Sequence, residues 1–273
     1  MIEATEIKNI HNEIVDLAIN LYGIDLGGYS PEFLDRRLEL LASRKGINSA
    51  FQLKHELINN ANFAKELEMN ISVNVTSMFR DPEFFKRLID IIKIDYQPSD
   101  NLRIWHPGCS EGNEVYSLAI LLHEANLLSN TLLYGTDISH EALLIAKEAS
   151  IRVEHLKIFS SDYRIASGKY SLKDYFILSY QKAIINKAIR KHTCFSAHQL
   201  GSDSSIRKFQ VVICRNMFIY YNTSFQTMLL NSLLESLDAG GILCMGLYEP
   251  ISNLKGAEKL VCIDDKFRIY KKL

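Results

Sequence analysis

The chain has 273 residues, with 31 Lys and Arg against 32 Asp and Glu and a formal net charge of -1. That balance excludes a global field drawing the protein to nucleic acid or to anionic lipid, so any such partner would need local recognition. A chain of this length can bury a full α/β core and still carry an accessory unit, since domains commonly run to about 100–200 residues, and two units are expected.

The five cysteines, Cys109, Cys194, Cys214, Cys244 and Cys262, are far apart, odd in number and form no C-x-x-C pair. This argues against a disulfide framework or a metal site and points to a reducing compartment. The first residues, Met1-Ile2-Glu3-Ala4, carry neither a basic nor an apolar leader pattern. No stretch approaches the ~18 unbroken apolar residues of a membrane span, so the expectation is a cytoplasmic protein without membrane insertion.

Ile7, Ile10, Ile14, Leu17 and Leu21 recur at helical spacing and predict a first helix with one apolar stripe. Ser30-Pro31 reads as an N-cap with proline at the first helical position, opening a second helix that turns Phe33, Leu34, Leu38 and Leu41 inward and stops near Gly46. Ser49 with Gln52 has capping-box spacing and opens a third, through Leu53, Leu57 and Ile58. After Leu102 short apolar runs alternate with amphipathic stretches, as in a sheet covered by helices. Strands are expected at 102–106, 132–135, 209–214 and 242–246, helices at 114–127, 140–149 and 224–237, and a terminal hairpin about Asp264-Asp265-Lys266. The division expected is a helical domain at 1–75, a linker helix at 76–95 and a catalytic α/β domain at 96–273, with a small inserted subdomain at 150–193.

The segment from Trp105 to Glu114, WHPGCSEGNE, leaves a strand, turns through Gly108 and Gly112 and enters a helix. In open α/β sheets a ligand sits at such a turn, where glycine admits the backbone and a helix presents free N–H groups. Its G-x-x-x-G spacing differs from the dinucleotide G-x-G-x-x-G and disfavours an NAD-dependent oxidoreductase. Asp137, about 25 residues after Gly112, ends the next strand, either to accept ribose hydroxyls or, with Ser139, to cap the following helix. Upstream, Asp81 is expected to cap a helix begun by Pro82, with Arg80 offering a guanidinium fork and Asn74 and Thr76 further hydrogen bonds. Arg215 and Asn216 end an apolar strand, with Tyr220 and Tyr221 in the loop beyond.

Together NVTSMFRDP, WHPGCSEGNEVYSLA, GTDIS, FQVVICRNMFIYY and GGILCMGLYE resemble, in order, the motifs of the CheR family of chemotaxis-receptor glutamate methyltransferases. The N-terminal helices, with Tyr29 and Arg36-Arg37, are similar to that family's helical domain. The resemblance implies a Rossmann-like sheet binding S-adenosylmethionine, with S-adenosylhomocysteine as product and no metal. Asn74, Thr76 and Arg80 would close over the cofactor, Gly108 would line its turn, and Glu114 and Asp137 would contact its amino-acid and ribose parts. Gln199, Leu200, Arg215 and Asn216 would line the adenine side and reaction pocket, with Tyr220 beside the transferred methyl.

The chain departs from the family pattern at Met78, where phenylalanine is usual, at Asn113 and Asn222, where acids are, and at Gln199, where asparagine is. Residues 150–193 hold only Gly168, without the glycine run that some members use to hold a receptor tail, so tethering to such a tail is not expected.

The implied reaction is esterification of glutamates on the cytoplasmic helical region of chemotaxis receptors by a monomeric enzyme. A glutamate carboxylate, with a pKa of ~4.3, is its own nucleophile at neutral pH. The enzyme's task is therefore alignment, with Tyr220 orienting the reacting groups and Arg215 steering the anionic acceptor. Arg36 and Arg37, near Arg44 and Lys45, either meet an acidic receptor helix or form a solvated surface. A different protein acceptor, or a cofactor-binding signalling module without transfer, are the alternatives.

Overall fold

The computed structural model describes residues 4–71, 76–201, 203 and 207–273. They form two compact units, one of residues 1–73 with 218–227, the other of 74–217 with 228–273. The side chain of Ile7 and the whole of Asn74 lie outside the described residues.

The first unit contains α1 (Ala4–Tyr22), α2 (Pro31–Lys45), α3 (Ala50–Asn59) and α4 (Ala61–Ile71). Ser30 Oγ accepts from Phe33 N at 3.3 Å, and Gly46 closes α2 at φ 66°. Ser49 caps α3 through Gln52 N at 3.2 Å, but the Gln52 side chain accepts from Asn48 N rather than from Ser49 N, so the box is shifted by one residue. The fourth helix was not foreseen, although Asn60 starts it by accepting from the N–H groups of Asn62 and Phe63. Ile14, Ala18, Leu34, Leu38, Leu53, Leu57 and Leu67 form the core. Leu21, expected on the apolar stripe of the first helix, and Ile58, expected in the third, are each 49% exposed. In α1 the four-residue step from Ile14 lands on Ala18 and Tyr22, whose hydroxyl donates to Leu57 O at 2.7 Å.

Residues 218–227 complete this unit. Ser30 N donates to Tyr220 O at 2.9 Å, and Asn222 N to Gly28 O at 3.0 Å. The Asn222 side-chain amide donates to Gly27 O at 2.9 Å, a bond the aspartate usual in the family could not make. Gly28 is required here because a Cβ would sit 2.7 Å from the Phe225 ring.

The second unit begins with α5 (Pro82–Asp95), β1 (Leu102–Pro107), α6 (Asn113–Glu124), β2 (Thr131–Asp137) and α7 (His140–Glu148). There follow β3 (Ser150–Arg152), α8 (His155–Ile165), β4 (Phe176–Ser179), β5 (Lys182–Ile185), α9 (Lys187–Arg190) and β6 (Thr193–Ala197). β7 (Phe209–Cys214), α10 (Thr223–Ser236), β8 (Leu237–Met245), β9 (Leu260–Asp264) and β10 (Ile269–Lys272) end the chain.

The main sheet runs β6-β2-β1-β7-β8-β10-β9. Its first five strands pair in parallel and β10 is antiparallel to both neighbours. The connections from β1 and β7 diverge, so the topological switch point lies between those two strands, where such sheets bind ligands. β6 was not foreseen, because its four-residue core of mixed polarity, Cys194 to Ala197, shows no clean alternation.

Helix α5 buries Phe84, Phe85, Leu88 and Ile92 in the sheet's own core. Arg87–Asp264 at 2.7 Å and Lys271–Asp95 at 2.8 Å pin the terminal hairpin to it. Residues 150–185 form a separate antiparallel sheet, β3-β5-β4, with α8. Glu124 ties this insertion to α6: its carboxylate accepts from Tyr163, from Tyr175 at 2.7 Å and from Lys169 N at 2.9 Å.

Candidate functional site

At the carboxyl end of β1 the chain turns through three left-handed residues, Gly108 (φ 66°), Ser110 (φ 50°) and Gly112 (φ 78°), into α6. Asp137, at the tip of β2 and 8% exposed, holds that turn. Its Oδ2 accepts from Ser110 N at 2.8 Å and its Oδ1 from Ser139 N at 2.9 Å. Capping of α7 falls to Ser139, whose Oγ accepts from Ala142 N at 3.2 Å. Of the two readings the sequence left open, the cap belongs to Ser139, and the Asp137 carboxylate belongs to the glycine turn with lone pairs to spare. Gly135 must lack a side chain here, since a Cβ would meet the Phe195 ring at 2.6 Å and Cys109 Sγ at 2.9 Å.

Across the switch point, Arg215 follows β7 with its side chain 0% exposed. Its guanidinium pairs with Asp81 and with Glu114 Oε2 at 2.6 Å, donates to Arg80 O at 3.3 Å and lies 4.1 Å from the Phe84 ring centroid. One expectation is corrected by this arrangement. Asp81 sits in the left-handed region at φ 57° and makes no side-chain cap of α5; its carboxylate is spent on Arg215. Arg215 is buried and paired with two carboxylates. It fixes the loop before α5, the start of α6 and the end of β7 against one another. Burial pushes the Glu114 carboxyl up, but Arg215 and His106 together hold it below its ordinary value. His106 Nδ1 lies 3.4 Å from Glu114 Oε1.

The remaining predicted residues are spread around this centre. Arg80 is exposed, while Thr76 is half-buried and lines, with Ser77, Glu111, Asn113, Arg152 and Lys182, a cavity of about 510 Å³. Met78 is fully buried and contributes to the core. Gln199 and half-buried Leu200 follow β6; Gln199 is exposed, and its N–H donates to Asp203 Oδ2 at 2.7 Å. Asn216 is left-handed at φ 60° and donates its N–H to Glu249 at 2.7 Å. Tyr220 lies in the helical unit, its ring 4.8 Å from that of Phe33. Of the basic pair, Arg36 is exposed and Arg37 is half-buried, donating to Asn70 O between α2 and α4. Burial, with Arg44 and Arg36 adding to it, lowers the Arg37 pKa. Lys45 is paired with Glu66.

Sequence reasoning missed Asp81 as a charge partner, His106 and Glu249. For Asp81 the adjacent proline was the stronger local signal. Glu249 ends the motif GGILCMGLYE, but an acid soon after an apolar strand does not reveal what its carboxylate binds.

A nucleoside-bearing cationic cofactor fits these residues. The turn offers a backbone free to approach a ligand, and Asp137 is a carboxylate at the tip of a strand. Ser110 Oγ, Arg215 Nε and His106 Nε2 are buried without a hydrogen-bond partner among the described residues, the kind of atoms that a polar ligand satisfies. The fold and these residues define the class as an open, mostly parallel α/β sheet of the kind that binds a ligand at its switch point.

Residues 74–267 match the family described as CheR methyltransferase, SAM binding domain. The chain belongs to that family, and its cofactor is S-adenosylmethionine. It is 29% identical over 251 residues to a Pseudomonas putida protein named as a methyltransferase, Cher3, covering 92% of each chain. It is 28% identical to chemotaxis protein methyltransferase 1 of Pseudomonas aeruginosa, over 88% of this chain and 89% of that one. Against the chemotaxis protein methyltransferase of Listeria monocytogenes it is 27% identical, over 85% of this chain and 86% of that one. No described helix is long and apolar enough to cross a membrane.

Proposed function

We propose that the chain methylates glutamate side chains on the cytoplasmic helical region of chemotaxis receptors, acting as a monomer in the cytoplasm. Relatives named as chemotaxis protein methyltransferases support a role in chemotaxis. The observation that carries the reading is the state of the carboxylates at the switch point. Asp81 and Glu114 are both bound to Arg215, and Asp137 is bound to two backbone N–H groups. None is placed to remove a proton from a weakly acidic acceptor, and a glutamate acceptor, with its pKa near ~4.3, needs no such base.

The bound cofactor supplies an activated methyl on a sulfonium. Passing that methyl to the acceptor carboxylate would turn the carboxylate into its ester and the sulfonium into a neutral thioether. One positive and one negative charge disappear, so exclusion of water favours the transfer. The chain's part is alignment, which can supply several kcal/mol of the barrier. In this reading Asp137 takes the ribose hydroxyls, Gly108 lets the backbone approach, and Glu114 stands near the amino-acid end. Thr76, Arg80 and Asn74 close the site from the loop before α5. Gln199, Leu200 and Asn216 lie on the adenine side, and Tyr220 adjoins the methyl. Arg36 and Arg37 form the basic face offered to an acidic receptor helix.

The test is to incubate the protein with methyl-labelled S-adenosylmethionine and receptor-bearing membranes of its own source, then to treat with base and count volatile methanol. Methanol lost in Asp137→Ala is the expected result. Binding of S-adenosylhomocysteine without any base-labile methyl would overturn the glutamate acceptor while leaving the family intact.

A further inference from the structure

Glu249 follows β8 in a tight turn, its N–H donating to Gly246 O at 3.0 Å. The residue is 3% exposed. Its Oε2 accepts from Gly246 N at 2.7 Å and from Asn216 N at 2.7 Å. One carboxylate oxygen therefore binds the first residue past β8 and a residue just past β7. Asn216 is left-handed at φ 60°, a conformation asparagine adopts more readily than other side-chain-bearing residues, and the bond to Glu249 ties that turn to the end of β8. Gly246 is shaped to the same contact: a Cβ there would collide with Glu249 Oε2 and come within 2.9 Å of Asn216 N.

The clamp sits one residue beyond Arg215, whose guanidinium joins Asp81 and Glu114. A carboxylate buried this deeply is costly unless bonded, and one of its bonds goes to the turn that carries the switch-point residues.

We infer that Glu249 is a positioning residue of the cofactor site: it fixes the Arg215-Asn216 turn at the end of β7 in the form that receives S-adenosylmethionine. It touches neither cofactor nor acceptor and acts through the backbone of Asn216. The inference rests on Arg215 and Asn216 lying at the cofactor site, as proposed above.

The experiment measures S-adenosylhomocysteine affinity by calorimetry in the full chain, with the unfolding midpoint recorded for each variant. Glu249→Ala leaves two buried N–H groups without an acceptor, and a loss of roughly tenfold or more in affinity is expected. Glu249→Gln keeps an acceptor oxygen and is expected to stay within about threefold of the parent. Gly246→Ala keeps the carboxylate but displaces it, and is expected to weaken binding as Glu249→Ala does. If Glu249→Ala does not fold, Glu249→Gln and Gly246→Ala carry the comparison.

Failure of the parent chain to bind S-adenosylhomocysteine would sink the cofactor-site reading itself. If the parent binds while folded Glu249→Ala and Gly246→Ala bind as tightly, with only their midpoints lowered, the carboxylate is merely structural and the inference is wrong. Equal losses in Glu249→Gln and Glu249→Ala would overturn the backbone-clamp argument in favour of a requirement for charge.

Discussion

Replacing Arg215 by alanine removes the guanidinium that joins two carboxylates. Arg215 is 0% exposed, while Asp81 and Glu114 keep 31% and 19%, so water can partly solvate the carboxylates left behind. Breaking a buried pair by deleting one partner costs about 3–5 kcal/mol, and the residual exposure places this case near the lower end, about 3 kcal/mol. For a unit of this size that corresponds to a fall of roughly 6–12 °C in midpoint.

The cost must also depend on pH. With Arg215 and His106 acting against burial, Glu114 lies below its ordinary value. It therefore stabilises the fold above its unfolded pKa of ~4.3, and that contribution fades as the pH falls through its lowered folded value. Without Arg215 the effect of burial is less opposed and the Glu114 pKa rises, so acid relieves the variant. The deficit of Arg215→Ala should be full near pH 7 and shrink toward pH 4. The only tryptophan, Trp105, is fully buried in β1, so its fluorescence in a denaturant titration reports the sheet unit. A deficit under about 1 kcal/mol at pH 7, or one that stays constant down to pH 4, would refute the account of Arg215 as a buried charge hub.

Three further outcomes follow from the geometry. Asp137→Asn replaces one acceptor oxygen by an amide that cannot accept from Ser110 or Ser139, and S-adenosylhomocysteine affinity measured by calorimetry should fall at least tenfold, on the order of one charged hydrogen bond; unchanged affinity would remove Asp137 from the site. Gly135→Ala forces a methyl into the Phe195 ring, and the midpoint for the sheet unit should drop by several degrees, corresponding to about 1–3 kcal/mol of overpacking. Burial together with Glu124 raises the Tyr163 pKa to about 12. Its contribution is complete below the unfolded pKa of ~10 and is lost as the pH climbs to the raised folded value. Alkaline unfolding should therefore steepen across that window, and Tyr163→Phe should flatten the profile.

Much of the local structure was legible because it depends on near neighbours in sequence. Ser30-Pro31 and Gly46 bound α2 as expected, since a cap and a left-handed stop need only their own turn. The apolar runs that became β1 and β7 read as strands because both faces are buried in a parallel sheet. Gly108, Gly112 and Asp137 could be associated because a strand-to-helix turn and the tip of the next strand meet in any sheet of this kind. The family is likewise carried by ordered local motifs.

What the sequence left undecided is how distant charges pair. Asp81 and Arg215 are 134 positions apart, and next to Asp81 the proline argued locally for a helix cap. Only the packing of α5 on the sheet brings the carboxylate to the guanidinium. Glu249 is similar: nothing within its own turn reveals that its oxygen reaches Asn216, because that contact exists only once β7 and β8 lie side by side. A hydrogen bond extends about 3 Å, and sequence periodicity carries no information at that range about residues from different strands. The chain by itself therefore determined most of its helices and strands and the glycine turn after β1, because these rest on neighbours in sequence, while the tertiary structure decided which charges hold that turn in place.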